Sequence, residues 1–217
     1  MAFPIVLAIL PLGAYLVMLG LVRLRGRVLV TTGGRDTFAL SLAVAGLVAI
    51  GPGELFFPAA AGATFGPAVW PILAMLYFLL VLLWVLYQRP RLVVYGLGDA
   101  ALAGPLLRAC QTIDPESRLD DRGGMIAIPG SGLHLRMIRH RGGESVDVEA
   151  FETEVSPEFW RSLLTRLRRE VATETVVAST QGGVLTILGL TLLGWATLQL
   201  AINPTEVAEG LSDWLWR

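Results

Sequence analysis

The chain contains no lysine: all 17 basic positions in its 217 residues are arginine. Cys110 is the only cysteine, which excludes an intrachain disulfide and a cysteine metal cluster. The two histidines, His134 and His140, lie on what reads as one extended strand, about 20 Å apart, and so cannot share an ion. Charge is scarce altogether, at 16% of residues, against about 25% in soluble chains. Hydrocarbon fills that space: 54% of the residues are hydrophobic and the mean hydropathy is +0.63, a membrane composition. The one long polar stretch, Arg89 to Gln181, carries 12 Arg against 13 acidic residues. That balance gives no basic excess with which to track nucleic acid.

Four apolar runs, uncharged but for Glu54 in the second, approach the roughly 20 residues a helix needs to cross a bilayer. They are Phe3–Val22, Phe38–Phe57, Val69–Tyr87 and Val184–Ile202. The first is not read as a cleaved signal peptide, because its arginines follow the apolar run instead of preceding it. Arg23, Arg25, Arg27 and Arg35 place the first loop inside by the positive-inside rule, and Arg89 and Arg91 return the chain inside after the third span. Both termini are then expected outside a bacterial inner membrane, with the lipid bilayer as the first partner. Residues 1–88 hold three spans, 89–181 a cytosolic domain, 182–202 the fourth span and 203–217 an extracytoplasmic tail. In that tail Asn203, Pro204 and Glu206 form a helix start, and Val207, Leu211, Trp214 and Leu215 share one face, the pattern of a helix lying on the membrane surface.

Within the spans, Pro11 is expected to kink the first helix. In the second, Thr37, Ser41, Ala45, Ala49 and Gly53 recur every four residues, a small-residue face along which helices pack closely. A neighbouring span of the same chain is the favoured partner for that face; another membrane subunit or a second copy is the alternative. Glu54 is the only acid in or beside a span and would be the polar site of a transport or channel component. Counted from Thr37, it sits about 25 Å along a span of about 30 Å, which favours a loop carboxylate at the outer interface.

After Pro90 the hydrophobic period changes. "RLVVYG" reads as a strand, and Asp99 can cap a helix burying Leu102, Leu106, Ala109, Cys110 and Ile113, with Pro105 marking a possible true first turn. "DRGG", "PGSG" and "RGGE" signal hairpins. A turn at Gly142 and Gly143 would pair Arg139 with Val146, Met137 with Val148, Leu135 with Ala150, Arg136 with Glu149 and His134 with Phe151. A further hairpin pairs Arg118–Asp121 with Met125–Ile128. Ser156 and Pro157 open a second helix with a buried stripe of Trp160, Leu163, Leu164, Leu167 and Val171. Thr175–Thr180 reads as a last strand. The fold expected is an α+β ferredoxin-like domain, β-α-β-meander-α-β, inserted between the third and fourth spans, with its first and last strands adjacent.

"GLGDAA", with Gly96, Gly98 and Asp99, matches a dinucleotide fingerprint after a strand and before a helix. A polar, turn-like segment follows where a second parallel strand should lie, so the reading favoured is a tight turn, and no cofactor is expected. Ser131 lacks a nucleophile elbow. Arg161, Arg166, Arg168 and Arg169 on the second helix could meet anionic lipid or an acidic partner.

"GPGELFFP" and "FGPAVW", followed by "RPRLVVYG", resemble a group of uncharacterised bacterial membrane proteins with three spans, a small soluble domain and a final span. The resemblance covers most of the chain and implies that architecture, with no activity attached. The function expected is a non-enzymatic interaction or regulatory subunit of a membrane complex. A transport component is the alternative, and a membrane-anchored nucleotide-binding or enzymatic domain comes third.

Overall fold

The computed structural model describes residues 2–53, 65–120, 124–139, 145–172, 174 and 180–215. The chain divides into two compact units, one of Met1–Leu21, Phe38–Val85 and Gly183–Arg217, the other of Val22–Thr37 and Leu86–Gly182.

The first unit is helical. It is built on α1 (Ala2–Leu24), α2 (Gly33–Val48), α3 (Val69–Tyr87), α6 (Thr180–Ile202) and α7 (Pro204–Leu215). Four of these helices are long and apolar enough to cross a membrane, over Phe3–Leu24, Gly33–Pro52, Gly66–Tyr87 and Gln181–Ile202. The second begins five residues earlier than the apolar run, because Gly33 to Asp36, read as loop, form its first turn. Asp36 lies there at the positive end of the helix dipole. α2 passes into a π-turn over Ala49–Gly53, which contains Pro52. Proline has no N–H for the regular ladder, and a wider turn accommodates the gap.

α1 continues through Pro11. Pro11 cannot donate to the carbonyl of Leu7 four residues back, and Gly46 of α2 packs against that carbonyl: a Cβ built on Gly46 would lie 2.1 Å from the Leu7 oxygen. Only a backbone without a side chain can approach so closely. α1 meets α6 in the same way, since a Cβ on Gly189 would lie 2.7 Å from the Val17 nitrogen and one on Gly13 would lie 3.0 Å from Leu193 Cγ.

Among the described residues, the second unit is a six-stranded sheet with two helices, α4 (Asp99–Gln111) and α5 (Pro157–Val171). Its strands are β1 (Leu29–Thr32), β2 (Arg91–Tyr95), β3 (Arg118–Leu119), β4 (Met125–Ile128), β5 (Leu133–Arg139) and β6 (Ser145–Ala150), in the order β1-β2-β6-β5-β4-β3. Every neighbouring pair is antiparallel. Alternate residues build one core: Val30, Leu92, Val94, Val146, Val148, Leu135 and Ile126 from the strands meet Leu102, Leu106, Leu163 and Leu167 from the helices. Burying each such side chain contributes about 1.5–3 kcal/mol.

The β5–β6 register is the expected one, with Leu135 opposite Ala150, Arg136 opposite Glu149, Met137 opposite Val148 and Arg139 opposite Val146. Beyond the strands, the Phe151 N–H donates to the His134 carbonyl at 2.8 Å. The Arg118 hairpin forms over two residues, Arg118 opposite Ala127 and Leu119 opposite Ile126. Ser156 caps α5 by accepting from the Phe159 N–H at 3.2 Å, and the helix buries Trp160, Leu163, Leu167 and Val171.

Of the strand expected over Thr175–Thr180, residues 175–179 lie outside the described residues and Thr180 opens α6. The place beside β2 expected for it belongs to β1, a strand of the first loop. "LVTT" is β-branched and suits a strand; its glycine and arginine flanks made it read as a connection. Residues 22–37 therefore group with the α+β unit by their contacts.

Candidate functional site

The Gly96–Asp99 turn is shaped by backbone conformation. Gly96 has φ +96°, which disfavours any residue with a Cβ. A Cβ there would stand 3.6 Å from the Arg27 carbonyl, so the segment leading into β1 flanks the turn. Gly98, in extended conformation, is the N-cap of α4, whereas Asp99, expected as the cap, is the first helical residue and lies 3.9 Å from Arg139. Pro105, expected near a helix start, is buried in the middle of α4. The strand before the turn has antiparallel neighbours on both sides. A dinucleotide fold needs a parallel one.

The sheet face away from α4 and α5 carries a polar layer. Arg91, Glu149 and Arg136 stand opposite one another on three successive strands. Glu149 lies 3.9 Å from Arg91 and 3.7 Å from Arg136. Asp147 is only 3% exposed and lies 3.3 Å from Arg91. The first turn of α2 adjoins this face: Tyr95 donates its hydroxyl to Asp36 at 2.6 Å, and a Cβ on Gly33 would meet Arg91 Cγ at 2.5 Å. Thr37, the first residue of the small-residue face, donates to Gln88 Oε1 at 3.0 Å. The contacts of the α2 turn are not visible in the sequence, because strand and helix turn come from segments more than fifty residues apart.

Other reactive groups are engaged within the unit. Arg108 pairs with Glu170 at 2.7 Å and Glu174 at 3.2 Å, tying α4 to the end of α5. Glu152 accepts from the His134 backbone N–H and contacts His134 Nδ1 at 2.8 Å. Burial alone would raise the Glu152 carboxyl, but the hydrogen bonds from His134 outweigh it and hold the group below its ordinary range. Cys110 is buried in the core, and burial pushes its thiol up to about 12. Ser131 closes a 3₁₀ turn. Among the described residues no three His, Cys, Asp or Glu side chains converge as a metal set; His140 lies outside them.

The α5 arginines divide. Arg168 donates twice to the Val30 carbonyl, at 3.1 and 2.9 Å, locking α5 to β1. Arg166 donates to Ser162 and to the Thr112 carbonyl. Arg161 and Arg169 line an open groove of about 590 Å³ beside Thr112 and Thr165.

In the helical unit, α2 meets α3. The Ser41 carbonyl accepts from the Tyr77 hydroxyl at 2.7 Å, and Phe78 meets Phe38 edge-on. Farther along, Ala45 and Ala49 line an apolar cavity of about 850 Å³. Gly46, on the adjoining face, makes its own close approach to α1. Glu54, like residues 55–64, lies outside the described residues. At the tail, Trp214 stacks on Trp70 with ring centroids 3.4 Å apart, and the Trp70 indole N–H donates to the Trp214 carbonyl at 3.1 Å.

Compared with known proteins, the chain matches no family model, no curated protein and no solved structure.

Proposed function

We propose that the chain is a non-enzymatic protein of a bacterial cytoplasmic membrane whose α+β domain serves as an interaction or regulatory module, as an accessory subunit of a larger complex. The observation that carries this reading is the engagement of the domain's reactive groups with one another. Arg91, Asp147, Glu149 and Arg136 form one charge layer, Arg108 pairs with two glutamates, His134 pairs with Glu152, and Cys110 is buried. A catalytic site instead converges an acid, a base or a nucleophile on an open cleft.

The topology has two supports. Arginines cluster in the first loop and after the third span. Independently, β1 from the first loop is hydrogen-bonded to β2 from the domain, and two strands of one sheet lie on the same side of a membrane. The domain is read as a variant of the ferredoxin-like plait. Its β2-α4 crossover leads to the parallel β3, antiparallel strands fill the space between, and β1 takes the place of the closing strand.

The test is purification of the tagged full chain from its own membranes in mild detergent, followed by mass spectrometry. A partner retained at fixed stoichiometry is the expected result. A chain that reproducibly emerges alone or as a clean homo-oligomer would overturn the accessory-subunit reading.

A further inference from the structure

The apolar cavity between α1, α2, α3 and α7 measures about 850 Å³, within the roughly 300–1,000 Å³ of pockets that enclose small ligands. Leu7 and Leu10 of α1, Ala45 and Ala49 of α2, and Ala74 and Trp70 of α3 supply its walls. Three side chains on it carry hydrogen-bonding groups, those of Tyr77, Trp70 and Trp214, and the Tyr77 hydroxyl is engaged by the Ser41 carbonyl and the Trp70 indole by the Trp214 carbonyl. A polar ligand would lose its hydrogen bonds with water here and gain none, at a cost of several kcal/mol. Protein interiors hold few voids larger than a water molecule, and an apolar cavity takes up apolar guests in preference to water.

The shape of the guest follows from the volume. A helix, about 10–12 Å across with side chains, would fill this cavity over less than two turns, so another span does not fit. A hydrocarbon chain is far thinner. We propose that the cavity binds an acyl chain of a bilayer phospholipid, a site that exists because the small residues Ala45, Ala49 and Ala74 leave α2 and α3 unfilled between them.

The headgroup is indicated by charge. Val207 and Leu211 of α7 line the cavity, while Glu206, Glu209 and Asp213 of the same helix are exposed, and α7 contains no basic residue. An anionic headgroup would meet like charges there, whereas an ammonium would be attracted. The site therefore favours a zwitterionic phosphatidylethanolamine over an anionic phosphatidylglycerol. The inference rests on the spans lying in a bilayer and is independent of any partner protein.

The test uses the full chain, reconstituted in nanodiscs of equal phosphatidylethanolamine and phosphatidylglycerol and released for native mass spectrometry. One retained phospholipid per chain is expected, at least fivefold enriched in phosphatidylethanolamine. Ala49→Phe, which fills the cavity, should abolish the adduct, and Leu83→Phe on exposed α3 surface should keep it. If Ala49→Phe is not monodisperse, Ala74→Leu decides the matter from the opposite wall. No adduct on the native chain, an adduct unchanged in the filled variants, or a dimer in its place would overturn the site. Enrichment in phosphatidylglycerol would overturn the headgroup assignment.

Discussion

Asp147 shows how differently two charges in one layer can be read. The Arg136–Glu149 pair follows from a hairpin, where a single turn sets every cross-strand neighbour. Asp147 looks like an ordinary outward strand residue, yet it is 3% exposed and faces Arg91 at 3.3 Å. Its partner comes from β2, more than fifty residues away in sequence. Removing one member of a buried pair leaves the other uncompensated. Because Arg91 is itself partly exposed, Asp147→Ala should destabilise the α+β unit by about 2–4 kcal/mol, near or below the usual cost of breaking such a pair. Thermal unfolding of the full chain in detergent, followed by circular dichroism, would check it. A melting temperature equal to the native one would mean that the pair contributes nothing net.

At the scale of elements, composition locates the spans but not their contacts. Every fourth residue of α2 from Thr37 is small, the pattern of a packing face. Gly46, on the adjoining face, comes close to α1, because Pro11 removes a donor from that helix and leaves the Leu7 carbonyl to be met by backbone. Gly46→Val should cost roughly 1–3 kcal/mol or more through overpacking. Ala45→Val, which projects into the cavity, should stay within about 0.5 kcal/mol, as substitutions with room usually do. Parallel thermal melts in one detergent compare the two. Equal losses would show that α2 uses both faces alike.

At the scale of the whole molecule, the strand taken from the first loop is the feature with most consequence. β1 lies beside β2 and receives the Arg168 guanidinium on its Val30 carbonyl, so a loop and an inserted domain form one folded body. Topology can be read by membrane-impermeant maleimide on sealed cells in a Cys110→Ala background. Ser145→Cys should be labelled only after the cells are opened, and Ala61→Cys should be labelled at once. Labelling of Ser145→Cys in sealed cells would reverse the orientation.

Taken alone, the amino-acid sequence determined the features that depend on local pattern: four apolar helices, the capped start at Ser156, the buried stripe of α5 and the β5–β6 register. Each is set by residues within a few turns or one hairpin of one another, where periodicity and turn chemistry suffice. Tertiary structure decided the features that need distant segments to meet. These are the recruitment of Leu29–Thr32 into the sheet, the burial of Asp147 against Arg91, the packing of Gly46 on the Leu7 carbonyl, and the cavity beside Ala45 and Ala49. A short strand or a glycine carries almost no signal of its own. Its role is settled by which backbone or side chain arrives beside it, and that depends on the packing of the folded chain.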